Sequence, residues 1–469
     1  MSNALPAESL AALRDLLGEE GCITAIDERW TYGYDNSRQH ALPDVVLRPT
    51  SHEQVLDILR LCNNYRIPLV ARGYGTNTTG ATVPVCGGAV LSMERMNHIL
   101  RVDPANRLML VQAGVTNQDV QHAAAEHGFF WPPDPTSAAV CSVGGNLACN
   151  AAGPRAVKYG TTRDNVFGLR AVTGGGVELR AGVFTSKGVV GYDLTRLLIG
   201  SEGTLAVITE ATLKLTPLAQ ARQTLQASYR DVHSAAKAVA AIMAQPVTPC
   251  ALEFLDSQAI AMIRDYAGDI LPREAGALLM IEVDGPAACL NEATQAVIEA
   301  ARNECCIEII QAQTDAEVAA LWKTRKALSP ALRKIAPKKI NEDVVVPVSH
   351  LPELIDGLTR LAEVHQITIV NFGHAGNGNI HVNLLIDPDD QNEMARAQLC
   401  LSDVFDLVLK LDGTLSGEHG IGLVKRDYVS REIEPDTLTL MQAIKAQFDP
   451  LGLLNPGKKF PHAKDQPSN

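Results

Sequence analysis

"ARGYGTNTTG", residues 71–80, follows the apolar run IPLV and decides how the N-terminal half reads. Gly73, Gly75 and Gly80 let the main chain approach a ligand closely, and successive amides in such a loop form an anion-binding nest. No Lys-Ser or Lys-Thr follows, so this is not a Walker loop. The glycine spacing also fails G-x-G-x-x-G, which removes the usual dinucleotide argument. Alone, such a loop is more often a plain hairpin turn.

Two further segments change its meaning. "PPDPTSAAVCSVGGNLACNAAGPRAVKYGTTRDNV", 132–166, is small, glycine-punctuated and almost uncharged up to Arg155. It offers amides and short side chains along an extended path, as the cradle of a long ligand would. "LLIGSEGTLAVITEATLKL", 197–215, runs from a glycine-bounded turn into a β-branched strand. Around these, apolar runs (DVVLRPT, GGAVLSM, LMLVQAG) alternate with helical stretches (SHEQVLDILRLCNNY, NQDVQHAAAEHG), the pattern of an α+β region. Pro217 and the polar AQARQT suggest a boundary near 220, with new helices and strands to about 400 and a closing helix, TLTLMQAIKAQFD, in the last stretch.

The bulk numbers exclude several classes. With 469 residues the chain is long enough for two or three cores, and 46% hydrophobic with 20% charged residues is an ordinary globular composition. A formal net charge of -12 repels phosphate backbones, so nucleic acid is not an expected partner. MSNALPAESLAALRDLLGEE reads as a capped amphipathic helix rather than a signal peptide, and no apolar run approaches bilayer length. Ten cysteines contain no C-x-x-C pair, which supports neither an iron–sulfur cluster nor a thiolate zinc site. Reduced thiols in the cytoplasm are the expectation.

"NFGHAGNGNIHVNLL", 371–385, carries His374 and His381 on either side of a Gly/Asn cluster. On one straight strand these histidines would face opposite sides. Across a hairpin they become neighbours on adjacent strands. In "LWKTRKALSPAL" helical spacing puts Arg325 and Ser329 on one face. Asn383, two residues after His381, shares its strand face.

Together the three glycine-rich segments resemble the flavin domain of the vanillyl-alcohol oxidase and p-cresol methylhydroxylase superfamily. Nearly the whole chain resembles its D-lactate, glycolate and D-2-hydroxyglutarate dehydrogenase branch. The resemblance implies an α+β protein: an FAD-binding domain at 1–220 (cradle about 42–219), a substrate domain at 221–410, and a C-terminal segment at 411–469 that returns to the flavin. It places the FAD pyrophosphate on Arg72, Gly73, Tyr74, Gly75, Thr76, Asn77, Thr78 and Gly80. Pro135, Thr136, Ser137, Gly144, Gly145, Asn146, Gly153, Gly203, Thr204, Val207 and Ile208 line the rest, and Asn455 and Lys458 of NPGK close against the isoalloxazine. Relatives that bind FAD covalently carry histidine where this chain has Thr76, so non-covalent FAD is expected.

The same resemblance makes His374, His381 and Glu418 (in the turn G-E-H-G) ligands of a divalent metal, zinc before manganese or cobalt. Two imidazoles and one carboxylate leave positions open for substrate, as catalytic zinc requires. His419 becomes the base, while Arg325, Ser329 and Asn383 grip the substrate acid; Arg325 suits this through its planar fork. Asn341 falls near the family's substrate lysine, with Lys338 and Lys339 just before it. The implied activity is oxidation of a D-2-hydroxyacid, with electrons passing to an electron-transfer flavoprotein, quinone or cytochrome. The expected setting is the cytoplasm or the inner-membrane surface, as a homodimer. A flavin-containing glycolate oxidase-type subunit of a larger complex and a zinc hydrolase are the alternatives.

Overall fold

The computed structural model describes residues 5–267, 271–326, 328, 332 and 338–461. The chain divides into two compact units. The first comprises 1–153, 160–218 and 418–469; the second comprises 154–159 and 219–417. The short piece 154–159, inside the segment read as one cradle, therefore belongs to the second unit.

Unit 1 contains two principal sheets. In the smaller, Val45–Leu47, Ala89–Ser92 and Leu69–Arg72 lie parallel, and Cys22–Ile23 pairs antiparallel at the edge. Parallel neighbours need a crossover, and the helix His52–Tyr65 makes it. Ser51 caps that helix by accepting from the Gln54 amide, and Arg66 ends it in the left-handed region at φ 56°. Val55, Ile58, Leu59 and Cys62 recur at helical spacing and are buried against the strands. Each such burial stabilises by about 1.5–3 kcal/mol before chain entropy is charged. The larger sheet is antiparallel, in the order Ile99–Asp103, Leu108–Gln112, Ala206–Lys214, Val166–Thr173, Glu178–Gly182. The N-terminal helix runs Ala7–Leu17 without the side-chain cap that its sequence suggested.

Unit 2 is built on a seven-stranded sheet, antiparallel at each of its pairings. Its order is Cys306–Gln311, Ala221–Tyr229, Ala277–Gly285, Ala251–Leu255, Thr368–Gly373, Asn379–Ile386, Lys338–Val345. Ala221–Tyr229 begins inside the polar stretch AQARQT, where the sequence suggests a boundary near 220. Farther along the strand, on one face, Thr224, Gln226 and Ser228 are all at most 1% exposed. The register puts Glu253, Leu255, Phe372, His381, Asn383, Asn341 and Asp343 on one face. The helix Ser257–Ala267 packs Ala259, Ile260 and Ile263 on the apolar part of that face, against Leu255, Val370 and Phe372. No helix among the described residues is long and apolar enough to cross a membrane.

Candidate active site

The two histidines of the Gly/Asn turn do meet. Thr368–Gly373 and Asn379–Ile386 pair antiparallel, with Phe372 opposite His381. His374 follows the first strand directly and starts the tight turn Ala375–Asn377. Gly378 then returns the chain at φ 72°, where a Cβ would lie 1.9 Å from the Val346 carbonyl oxygen. Only glycine satisfies both constraints. The imidazole centroids end 5.1 Å apart, edge to face, and both residues are buried.

Edge pairing carries the third residue to them. Thr414 exchanges main-chain hydrogen bonds with Val345 at the end of the edge strand. The Asp343 carboxylate then accepts from the Ser416 hydroxyl at 3.1 and 3.2 Å and from the Gly417 amide at 2.9 Å. Glu418 follows immediately. One ligand atom from each of His374, His381 and Glu418 lies within 4.8 Å of the others.

Glu253 is the residue that sequence reasoning missed. It sits in the apolar strand Ala251–Leu255, its side chain 1% exposed. One carboxylate oxygen accepts from His374 Nδ1 at 2.5 Å. The other accepts from Arg325 Nε at 2.9 Å and faces Nη2 at 2.8 Å. Burial alone would raise this carboxyl's pKa, but the His374 and Arg325 charges outweigh it and hold the group down at about 2. The signal for it in sequence was a single acid inside ALEFL, which no local rule interprets. The Arg325 guanidinium also lies 4.8 Å over the Phe372 ring.

Further along the same face, Asn383 Oδ1 accepts from Asn341 Nδ2 at 2.7 Å and from Lys339 Nζ at 3.4 Å. Lys339 thus belongs to this polar row, a point the sequence left open between it and Lys338. Ser329 lies outside the described residues.

In unit 1 the loop after Leu69–Arg72 is shaped by its own side chains. Arg72 donates to the Tyr34 carbonyl at 2.7 Å and to Thr82 Oγ1 at 3.2 Å, from beneath the loop. Gly75 has no room for a Cβ above that guanidinium, the nearest nitrogen being 2.1 Å away. Tyr74 donates to the Gly114 carbonyl, and the Thr76 carbonyl accepts from Asn36. Asn77 Oδ1 accepts from Thr79 N and Ala81 N, while its Nδ2 donates to the His419 carbonyl at 3.0 Å. Gly73 approaches Ser142, the cap of the helix Val143–Cys149 that carries Gly144, Gly145 and Asn146. Gly153 sits against Asp134, next to the turn in which Pro135 and Ser137 carbonyls accept from Ala138 and Val140 amides.

Glu202 joins these pieces. It stands at φ 54°, its amide on the Ala148 carbonyl and its own carbonyl accepting from Asn455 Nδ2. Its buried carboxylate accepts from the Ile421 amide at 2.9 Å, the Gly422 amide at 2.7 Å and Lys459 Nζ at 3.2 Å. The turn bearing His419 is therefore held by Glu202, by Asn77 and by the Thr79 carbonyl, which accepts from the Leu423 amide. Beside Glu202, Gly203 turns at φ 66° and the Thr204 hydroxyl donates to the Ser201 carbonyl. Val207 and Ile208 bury their side chains in hydrophobic clusters. Lys458 Nζ donates to Asn455 Oδ1, and burial pushes its amine down to about 8.

These residues fit the expected groups. Thr78 Oγ1 and Asn146 Nδ2 are buried in the cradle without a protein partner, as groups reserved for a polar ligand are. Two imidazoles and a carboxylate form a donor set suited to zinc.

Residues 43–182 match the FAD binding domain family, and residues 218–459 match the family described as FAD linked oxidases, C-terminal domain. The glycolate oxidase subunit GlcD of Bacillus subtilis is 40% identical over 438 residues, with 93% of each chain covered. The D-lactate dehydrogenase (cytochrome), mitochondrial, of Arabidopsis thaliana is 34% identical, over 97% of this chain and 81% of its own. Among solved structures, p-cresol methylhydroxylase with substrate bound superposes with a TM-score of 0.79 at 16% identity, covering 98% of this chain and 97% of that one. That likeness speaks for the fold alone. The chain belongs to the FAD-linked oxidases, in the branch of the vanillyl-alcohol oxidase and p-cresol methylhydroxylase superfamily that holds the FAD-linked D-2-hydroxyacid dehydrogenases.

Proposed function

We propose that this protein oxidises a D-2-hydroxyacid to the 2-oxo acid, using non-covalent FAD and a divalent metal. The observation that carries the reading is the convergence of His374, His381 and Glu418 within 4.8 Å. It occurs in a chain whose relatives are named glycolate oxidase subunit and D-lactate dehydrogenase. FAD supplies a two-electron acceptor, and a cation, Zn²⁺ before Mn²⁺ or Co²⁺, supplies Lewis acidity toward the substrate oxygens.

The protein's groups do the rest. His374, His381 and Glu418 hold the cation and leave coordination positions for substrate. His419 accepts the hydroxyl proton as the C2 hydrogen departs with its electron pair, so a C–H bond and an O–H bond are exchanged for the second C=O bond. Arg325, Lys339 and Asn383 supply positive charge and hydrogen bonding for the substrate acid. Arg72 to Gly80, Pro135 to Ser137, Gly144 to Asn146, Gly153, Gly203 to Ile208, Asn455 and Lys458 serve the flavin. The electrons leave to an electron-transfer flavoprotein, quinone or cytochrome.

The purified protein, assayed against paired D- and L-2-hydroxyacids with a dye acceptor, tests this. Turnover confined to D-acids is the expected result; turnover of L-acids alone, or of none of them, would overturn it. Acid precipitation should release the flavin into the supernatant, since Thr76 stands where covalently flavinylated relatives have histidine. The name of the 40% identical relative favours a second reading, a subunit that acts within a larger complex. Dye-linked turnover by the isolated chain separates the two. A zinc hydrolase leaves the FAD binding match at 43–182 without a purpose.

A further inference from the structure

We propose that Glu253 is the positioning residue of the metal centre: it fixes the ring of His374 by accepting from Nδ1, so that Nε2 is the atom offered to the cation, and is itself held in place by Arg325. The inference rests on the metal reading above, which it deepens by one layer.

A carboxylate inside an apolar strand is costly to bury unless fully paired. Glu253 has its partners on both sides: His374 Nδ1 at 2.5 Å on one oxygen, Arg325 Nε at 2.9 Å and Nη2 at 2.8 Å on the other. A salt bridge serving only the fold would need Arg325 and nothing more. The second oxygen is instead spent on the one ring nitrogen that must carry a proton if Nε2 is to be a ligand. Metal-bound histidines ordinarily donate their other N–H to such a carboxylate, which fixes the tautomer and raises ligand basicity.

The surrounding packing reaches the other imidazole. Arg325 lies 4.8 Å over Phe372, and Phe372 is the cross-strand partner of His381, their rings 5.8 Å apart. Glu253 is also in register beside the end of the strand that delivers His374, since Phe254 pairs with Gly373. The line Arg325, Glu253, His374 therefore runs along the sheet from the helix Asp315–Lys326 to the metal position. A shift of the helix would be felt at the imidazole.

The test uses full-length, flavin-loaded protein stripped of metal, titrated with Zn²⁺ against a fluorescent chelator. Glu253→Gln keeps size and an acceptor oxygen but loses the charge, and should weaken zinc binding by about 10–100-fold with flavin content unchanged. Its turnover should return when free Zn²⁺ is raised to saturation, which a merely structural fault would not permit. Glu253→Asp keeps the charge for Arg325 while drawing the oxygen back from Nδ1. Should the glutamine variant fail to fold, the aspartate variant keeps the buried charge paired, and it should lose zinc affinity in the same direction. Wild-type zinc affinity in both variants, or lost activity that no Zn²⁺ concentration restores, overturns the proposal while leaving the metal reading intact. A wild-type protein that takes up no Zn²⁺ removes the metal reading, and this proposal with it.

Discussion

His374 and His381 stand seven positions apart in sequence, yet their rings are neighbours, and each can be asked separately what it holds. Alanine at His374, His381 or Glu418 should lower bound metal and activity together, as metal analysis would read. His419→Asn should keep both metal and flavin, because asparagine preserves polarity and cannot take the hydroxyl proton. Its flavin reduction in an anaerobic stopped-flow single turnover should slow by about 10²–10⁴-fold. Wild-type reduction in this variant would move the base elsewhere. Arg325→Ala, assayed at saturating Zn²⁺, should raise KM tenfold or more, since a charge-assisted hydrogen bond contributes about 1.5–3 kcal/mol. An unchanged KM would confine Arg325 to supporting Glu253. Lys458 gives a pH signature. Its amine is pushed down to about 8 by burial, from an ordinary 10.5. Below pH 8 the folded, flavin-free chain carries a buried cation at a cost of about 3 kcal/mol, and this cost disappears as pH rises toward 10.5, where the unfolded chain also loses its proton. Lys458→Met should therefore be more stable than wild type at pH 7 and lose that advantage by pH 10, as denaturant midpoints would show.

At the scale of elements, the strands of the histidine hairpin were legible because β-branched runs flank a Gly/Asn cluster. The conformation at Gly378 explains why that cluster is where it is. Gly378→Ala would place a methyl 1.9 Å from the Val346 oxygen at φ 72°. The expected destabilisation exceeds about 1–3 kcal/mol, with loss of bound metal, measurable by thermal shift and metal analysis. Glu202→Ala should strand the Ile421 and Gly422 amides at about 1–3 kcal/mol each, lowering stability and slowing flavin reduction through the displaced His419 turn. What local reading could not reach was partnership between distant strands. Nothing in ALEFL announces that it will lie beside TIVNFG, so Glu253 carried no meaning until the sheet was assembled. The strand beginning in AQARQT was hidden for the complementary reason: it opens on Arg222 and Gln223, whose polarity reads as a boundary. The glycine-rich cradle was legible from composition, whereas the hub role of Glu202 depends on a left-handed residue meeting segments over two hundred positions away.

For the molecule as a whole, the residues assigned to the flavin all belong to unit 1, while His374, His381 and Glu253 belong to unit 2. Removing the metal with a chelator should therefore abolish turnover and leave the visible flavin absorbance in place. Flavin lost in step with metal would contradict that division. Unit 1 also draws its residues from three separate stretches, the last of which begins at Glu418. Within it, Leu453 accepts from the Leu69 amide and Asn455 donates to the Leu69 carbonyl, so residues 453–455 brace the very strand that leads into the glycine-rich loop at 72–80. On a ribosome the chain emerges from its N-terminus, and most of unit 2 is exposed as a continuous stretch long before that brace exists. The nascent protein thus has a completed insert inside an unfinished host, and its cofactor domain can close only after residues 453–455 have been made. A chain halted at about residue 450 would be expected to keep the sheet of unit 2 resistant to protease while failing to retain FAD.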